Sequence, residues 1–398
     1  VAGRNKLLLL LIGAAILNYA DRQIIALLKP ALSADLGWSD EDYGNLTAVF
    51  QGAAALAFIF AGRLVDRLGL NRANPLAVGS WSLAAMLHGA VTRLPHFLGA
   101  RVLLGVTEAL GTPAAVKTIA AAFAPGQRTL ALGILNAANS LGAILAPLAI
   151  PLLAAAFGWR AAFFTTGGLG LVWIACWYGA GVPSLPETPP APARVAWGAA
   201  LRDRRTWAIA GAKACSDQVW WFLLYWAPDF FHRTFGLDIK ASALPVSGIY
   251  VAAAAGALLG GAGYGRLAVR IGARRARFTV FLICGLAALP AAMAPHVGAV
   301  WMAAVLIALI LAAHQAFSSN LFGLLADIVP AERMGLVTGI GALSGNLAGM
   351  GVLKLTGSVL GGGGGYGPLF ALAGCSYLAG LLWLRLLNPS FTPAGEAA

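Results

Sequence analysis

The sequence predicts an all-α membrane protein in which twelve transmembrane helices form two six-helix bundles. Three observations predict it. The 398 residues are 59% hydrophobic and only 11% charged, with a mean hydropathy of +0.78, which is more apolar surface than a soluble core can hide. The apolar residues come in stretches of about 20, the helix length that a hydrocarbon layer of about 30 Å requires, whereas barrel strands would be short and alternating. Finally, a polar segment that follows the second stretch recurs in degenerate form after the eighth.

Reading apolar runs against polar or Gly/Pro breaks places the first six spans at 7–29, 43–65, 73–92, 97–119, 129–152 and 160–182. The other six fall at 207–231, 243–266, 277–295, 298–325, 334–359 and 366–387. The first span contains Asp21 and Arg22 and lacks a small-residue cleavage site, so it is expected to remain as a helix rather than to be removed as a signal peptide. Residue 1 is Val, not Met, and the numbering is expected to start inside a natural chain. Between the two sets, PSLPETPPAPARVAWGAALRDRRTW is Pro-rich and then Arg-rich and does not continue a helix. The expected organisation is therefore an N-terminal bundle at 1–182, a cytoplasmic linker at 183–206 and a C-terminal bundle at 207–398.

Charge placement orients the chain, because cytoplasmic loops accumulate Lys and Arg. With the N-terminus inside, the inner loops hold Arg63, Arg67, Arg72, Arg128, Arg194, Arg202, Arg204, Arg205, Arg266, Arg270, Arg274, Arg275, Arg277 and Arg333. The outer loops hold only Lys29, Arg93, Arg160, Arg233 and Lys240. A multi-pass protein of the bacterial inner membrane, with both termini cytoplasmic, is expected. The net charge of +12 does not read as a nucleic-acid footprint, since the cations lie between apolar spans rather than on one soluble face. Cys176, Cys215, Cys284 and Cys375 all fall inside apolar segments without metal or pairing spacing and are expected to behave as small buried hydrophobes.

The repeat is specific. Gly62-Arg-Leu-Val-Asp-Arg-Leu-Gly-Leu-Asn-Arg72 follows the second span and Gly265-Arg-Leu-Ala-Val-Arg-Ile-Gly-Ala-Arg-Arg275 follows the eighth, at the same place in each half. Gly62-x-Leu64-x-Asp66-Arg67-x-Gly69 resembles the signature between helices two and three of the major facilitator superfamily. That resemblance implies that Gly62, Asp66 and Arg67 belong to a gating loop at the cytoplasmic face. The second copy carries Val269 where Asp is expected. Four longer stretches are LNYADRQ at 17–23, RVLLGVTEALGTPAA at 101–115, KACSDQVWWFLLYWAPDFF at 213–231 and AHQAFSSNLFGLLADIVP at 313–330. They resemble the hexuronate branch of the anion:cation symporters, related to the galactonate transporter, sialin and the vesicular glutamate transporters. One departure lies in FQGAAALAF at 50–58, where relatives often carry Tyr near Ala54.

An ionisable residue inside a spanning helix costs at least about 2.5 kcal/mol on insertion scales, so each needs a partner or a watery cavity. Six qualify: Asp21 and Arg22, Arg101 and Glu108, Lys213 and Asp217. Counting 1.5 Å per residue puts Asp21 roughly 21 Å and Arg101 about 24 Å from the cytoplasmic ends of their spans, so an Asp21–Arg101 pair is expected. Glu108 lies two turns from Arg101 on one face, about 10 Å nearer mid-bilayer. An Arg that changes partner can decide whether Asp21 or Glu108 holds a proton, which makes these two the expected proton-coupling residues. The plainer reading is a fixed salt bridge that only orients helices.

For substrate, Arg offers a permanent planar fork that fits a carboxylate; Arg22 and Arg101 are the candidates, with Lys213 from the second half as a third cation, or as a lysine paired to Asp217. Tyr19, Asn139, Gln315, Ser319 and Asn320 supply polar groups at mid-span, and Trp220, Trp221, Tyr225 and Trp226 supply rings, of which Trp221 is the candidate pocket wall. His314 reads as a hydrogen-bonded structural histidine. The resemblance itself implies matching roles at Tyr19, Asp21, Arg22, Arg101, Glu108, Asn139 and Ser319.

These residues point to a proton-coupled symporter that imports a sugar-acid anion such as a hexuronate by alternating access. The alternatives are a carrier of another organic anion, an aldonate or an aromatic carboxylate, or a drug exporter, which would favour acids without the three mid-span cations. Five scattered His and four apolar-segment Cys provide neither a nucleophile and base nor a metal cluster, so no enzyme, cofactor or metal is expected. The expected partners are a small organic anion, protons as the coupling ion and the lipid bilayer; a monomer is expected.

Overall fold

The structure is a computed structural model that describes residues 2–181 and 197–388. Its helices are α1 (Ala2–Leu27), α2 (Lys29–Leu36), α3 (Asp40–Leu68), α4 (Leu70–Ala90), α5 (Leu94–Glu108), α6 (Gly111–Ala122), α7 (Pro125–Phe157), α8 (Trp159–Gly179), α9 (Trp197–Arg202), α10 (Arg204–Phe235), α11 (Ala243–Ile271), α12 (Ala273–Ala288), α13 (Val300–Ile328), α14 (Ala331–Gly361) and α15 (Gly367–Leu387), with a 3₁₀ stretch at Leu289–His296. Each expected span is helical over most of its described residues, and no strand occurs among the described residues. Among the described residues, ten segments are long and apolar enough to cross a membrane. The two expected spans outside that set are α4 and α10, which hold Asn74, Pro75 and His88, and Lys213, Asp217 and Asp229. Leu56, Phe60, Leu258, Leu259, Val305 and Leu382 all lie exposed, as helix faces do when lipid is the solvent.

Contacts divide the chain into two units, Val1–Pro192 with Leu237–Ser247, and Ala193–Gly236 with Gly248–Ala398. In the first, α1 packs on α7, α3 on α5 and α4 on α8. In the second, α10 packs on α14 and α12 on α15, while Gly256 and Gly260 of α11 lie against Ala312 and Ala316 of α13. Both units thus pair their first spanning helix with the fifth, the second with the fourth and the third with the sixth. The duplication seen in the loop sequence is also a duplication of packing.

Local chemistry corrects several boundaries. The first span does not end at a loop near Lys29: α1 stops at Leu27 and α2 follows at once, with Pro30 in its first turn, where the ring removes a donor that α1 would need. Lys29 is accordingly not a loop cation but is 1% exposed, 2.8 Å from Asp40 and over the Tyr43 ring. The fourth span is broken at Ala109–Leu110, because Pro113 supplies no N–H to the carbonyl of Ala109 and its ring crowds that carbonyl. Glu108 is therefore the last residue of α5. The ninth span finishes in the 3₁₀ stretch that carries Pro290 and Pro295.

Residues 183–196 of the expected linker lie outside the described residues. Of the remainder, 197–202 form α9, and Asp203 caps α10 by accepting from the Arg205 N–H at 2.9 Å. The cysteines are free, but only Cys284 is buried while Cys176 and Cys375 are exposed; in lipid a small apolar residue gains little by leaving the surface.

Candidate functional site

In the first unit, α1 brings Tyr19 against α7, Asp21 against α8 and Arg22 to Phe50 of α3 and Glu108 of α5. The Arg22 guanidinium donates to Glu108 Oε2 through Nε at 2.9 Å and Nη2 at 2.6 Å, and Nη2 also reaches Asn18 Oδ1 at 3.3 Å, one turn back on α1. Glu108 is almost fully buried, while 15% of the Arg22 side chain is accessible. Arg22 sits 5.4 Å from the Tyr19 ring and 5.5 Å from the Phe50 ring. Arg101, wholly buried, lies 4.7 Å from the same Phe50 ring and acts electrostatically on Glu108. Phe50 thus neighbours two guanidiniums that both bear on one carboxylate.

Gly105 makes this arrangement possible. A Cβ there would meet the Phe50 carbonyl oxygen at 2.5 Å and the Ala54 nitrogen at 3.2 Å, so α5 approaches α3 at backbone distance. Ala54 is buried at this contact and offers no polar group.

The expected Asp21–Arg101 pair does not form. Asp21 is buried, with Thr166 of α8 and the Glu108 carboxylate as its polar neighbours, and makes no ion pair among the described residues. Consecutive residues on a helix point about 100° apart, so Asp21 and Arg22 address different neighbours. It is Arg22, not Asp21, that faces α5. Asn139 of α7 lines a cleft with Asn18, Trp81 and Thr112.

At the end of α3, Asp66 forms an ion pair with Lys117 of α6, and the Lys117 Nζ also donates to the Gly62 carbonyl at 3.0 Å. Lys117 escaped the sequence reading because it stands outside the loop motif, one helix away. In the second unit, Val269 is 88% exposed and takes no part in such a link. There Arg277 of α12 carries it, donating to Asp327 at 2.6 Å and to Asn320 Oδ1 at 3.1 Å while lying 3.7 Å over the Tyr264 ring.

Lys213, Asp217 and Trp221 follow one another at intervals of four on α10, and Lys213 pairs with Asp217 at 2.7 Å. They lie against Gly341, Gly345 and Gly349 of α14, also four apart. A Cβ on these would meet Lys213 at 3.4 Å, Asp217 at 2.2 Å and Trp221 at 2.4 Å. The row of glycines in α14 was the available signal for this contact. Trp221 stacks on Tyr225, while Trp226 is fully buried. His314 stacks on Trp220 and contacts the Tyr377 hydroxyl at 3.0 Å. On α13, Gln315 is half-buried and Ser319 exposed, its hydroxyl donating to Ala316. Asn320 is buried, and its amide donates to Gly260 and Ala316, so its side chain ties α13 to α11 and α12. Among the described residues no group of three or more His, Cys, Asp or Glu is placed to hold a metal ion.

The profile of the Major Facilitator Superfamily matches residues 11–353. A probable L-galactonate transporter of Escherichia coli (strain K12) is 28% identical over 64% of this chain and 60% of its own length. The chain therefore spans less than two thirds of that relative. A galacturonate transporter of Dickeya chrysanthemi is 28% identical over 62% of this chain and 77% of its own, and a hexuronate transporter of Escherichia coli (strain K12) is 25% identical over 96% and 93%. Among solved structures, a bacterial homolog of the human lysosomal transporter Spinster aligns with TM-score 0.73 at 20% identity, over 98% of this chain and 96% of that one. A D-xylose–proton symporter aligns with TM-score 0.75 at 17% identity, over 97% and 98%.

Proposed function

The chain belongs to the Major Facilitator Superfamily, a family of transporters rather than enzymes, and from that premise we propose that it is a proton-coupled symporter importing a sugar-acid anion such as a hexuronate. The observation that carries this reading is the Arg22–Glu108 pair. A substrate carboxylate and the Glu108 carboxylate compete for one guanidinium fork, and a proton on Glu108 removes the competitor. Proton and anion then favour each other's binding, and that coupling is reciprocal. Arg101, Tyr19 and Asn139 complete the anion side, with Asp21 as the second proton carrier. Lys213, Trp221, Gln315, Ser319 and Asn320 are the contribution of the C-terminal half.

The names of the relatives support a sugar acid over other anions. Charge supports the coupling. The three mid-span acids balance the three cations, so a bound monoanion leaves one net negative charge, and carrying it into a negative interior costs about 2.3 kcal/mol per 100 mV. Co-transported protons remove that cost. In this reading Gly62, Asp66 and Arg67 form a cytoplasmic gate, and the bundles 1–182 and 207–398, joined by the linker 183–206, alternate access as a monomer in the bacterial inner membrane with both termini cytoplasmic. Uptake of labelled glucuronate or galacturonate into proteoliposomes is expected to rise with an inward proton gradient. Uptake indifferent to that gradient would refute symport.

A further inference from the structure

In the second unit, the turn from α11 to α12 carries Arg266, Arg270, Arg274 and Arg275, all exposed and none in an ion pair among the described residues. In the first copy of this loop, Asp66 offsets a cation by pairing with Lys117. In the second, Val269 stands at the position of that acid, and Asp327 is already engaged by the buried Arg277. Four like charges within residues 266–275 repel one another. Helix formation does not account for them: Arg274 and Arg275 lie in the first turn of α12, which has no acid and no side-chain cap, and a helix N-terminus disfavours cations. Arg266 and Arg270 lie inside α11 and share one face with its exposed aliphatic residues. At about 100° per residue, Val251, Ala255, Leu258, Leu259 and Ala262 fall with them in an arc of about 120°. All of these are exposed, on a side turned away from the contact of Gly256 and Gly260 with α13. The stripe is apolar for about 17 Å, from Val251 to Ala262, and then changes to Arg266 and Arg270, with the exposed Val269 between them. The bias of cations toward one side of a membrane is counted over loops and is indifferent to helix face. An aliphatic side chain among arginines at the end of an apolar stripe suits the layer where lipid tails meet headgroups.

We propose that the turn from α11 to α12 binds an anionic phospholipid, its phosphodiester held by Arg266, Arg270, Arg274 and Arg275 and its acyl chains lying along Leu258, Leu259 and Ala262. The phosphate supplies the negative charge that Val269 does not, relieves the repulsion among the four arginines, and stands at the start of α12, where the helix dipole favours an anion. A zwitterionic headgroup brings its own cation and meets that need less well. Such a site is independent of which anion the protein carries.

The test is native mass spectrometry of the purified full chain mixed with equal amounts of dioleoylphosphatidylglycerol and dioleoylphosphatidylcholine. Wild type is expected to retain phosphatidylglycerol about tenfold in preference. Arg270→Gln combined with Arg274→Gln is expected to remove that preference. Val269→Asp loses little packing, since the side chain is 88% exposed, and restores the acid of the first copy. It is expected to lower retained phosphatidylglycerol about fivefold, the effect of one adverse charge at a membrane surface, and it decides the matter if the double variant does not fold. Arg202→Gln removes one unit of charge from an exposed position on α9 and is expected to change retention by less than about twofold. Equal retention of the two lipids by wild type overturns the proposal. So does phosphatidylglycerol retention that is unaltered in Val269→Asp, or lowered as much by Arg202→Gln, which would mark the four arginines as topological charge only.

Discussion

Glu108 holds Arg22 through a single carboxylate oxygen, with Oε2 accepting from both Nε and Nη2. In the proposed cycle, one protonation event at this buried carboxylate releases both bonds. Glu108→Gln keeps the shape and removes the charge and the proton. It is expected to abolish uptake driven by a proton gradient while counterflow exchange of labelled for unlabelled substrate persists. A normal gradient response measured in proteoliposomes would exclude Glu108 from coupling.

Gly105 sets the distance between α3 and α5. The first atom a new Cβ would strike is a backbone oxygen, 2.5 Å away, and backbone yields only by shifting a helix. Gly105→Ala is expected to destabilise the protein by about 1–3 kcal/mol and to weaken anion binding with it, since Phe50 and Arg101 move apart. Thermal unfolding in detergent and calorimetry on the same sample check both.

In the second unit the response to an added methyl depends on which atoms must give way. At Gly256 they are the backbone of Ala312, at 2.2 Å and beyond; at Gly345 they are the carboxylate end of Asp217, at 2.2 Å. Gly256→Ala is expected to lower the apparent Tm more than Gly345→Ala. The second variant is expected to act on transport by displacing Asp217 from Lys213. Side-by-side melting curves and uptake rates separate the two effects.

Arg277 serves Asp327, Asn320 and the Tyr264 ring at once, using the planarity and the several donors of a guanidinium. Lysine offers neither. Arg277→Lys is expected to cost about 1–3 kcal/mol of stability, as for loss of bonds to a buried charged group, and to do so although net charge is unchanged. An unaltered melting curve would refute this.

Much of the architecture was legible because a hydrocarbon solvent imposes long apolar runs and leaves few ways to satisfy the backbone. The spans from α3 to α15 could be read from that constraint, and the kink after Glu108 was open to reading from Pro113. The site was legible as a set of residues and illegible as a set of partners. Asp21 and Arg22 occupy the same depth, so depth could not say which of them meets α5. Asn320 looked like a free polar group at mid-span, yet its amide and its carbonyl are both engaged, the latter by Arg277, a residue that sequence placed in a loop. Lys117 had no motif around it. Phe50, which lies under both guanidiniums, carries no signal that separates it from any other aromatic in an apolar span.

The glycine row at 341, 345 and 349 bears on when ordering entropy is lost. Lys213 is a long side chain, and fixing one at a binding site costs about 0.5–1.5 kcal/mol at the moment a ligand arrives. Against α14 it meets bare helix backbone, which has no rotamers of its own to rearrange, and Asp217 one turn on anchors its ammonium. The restriction is thus imposed during folding, and a ligand that reaches Lys213 encounters a cation whose position has already been decided.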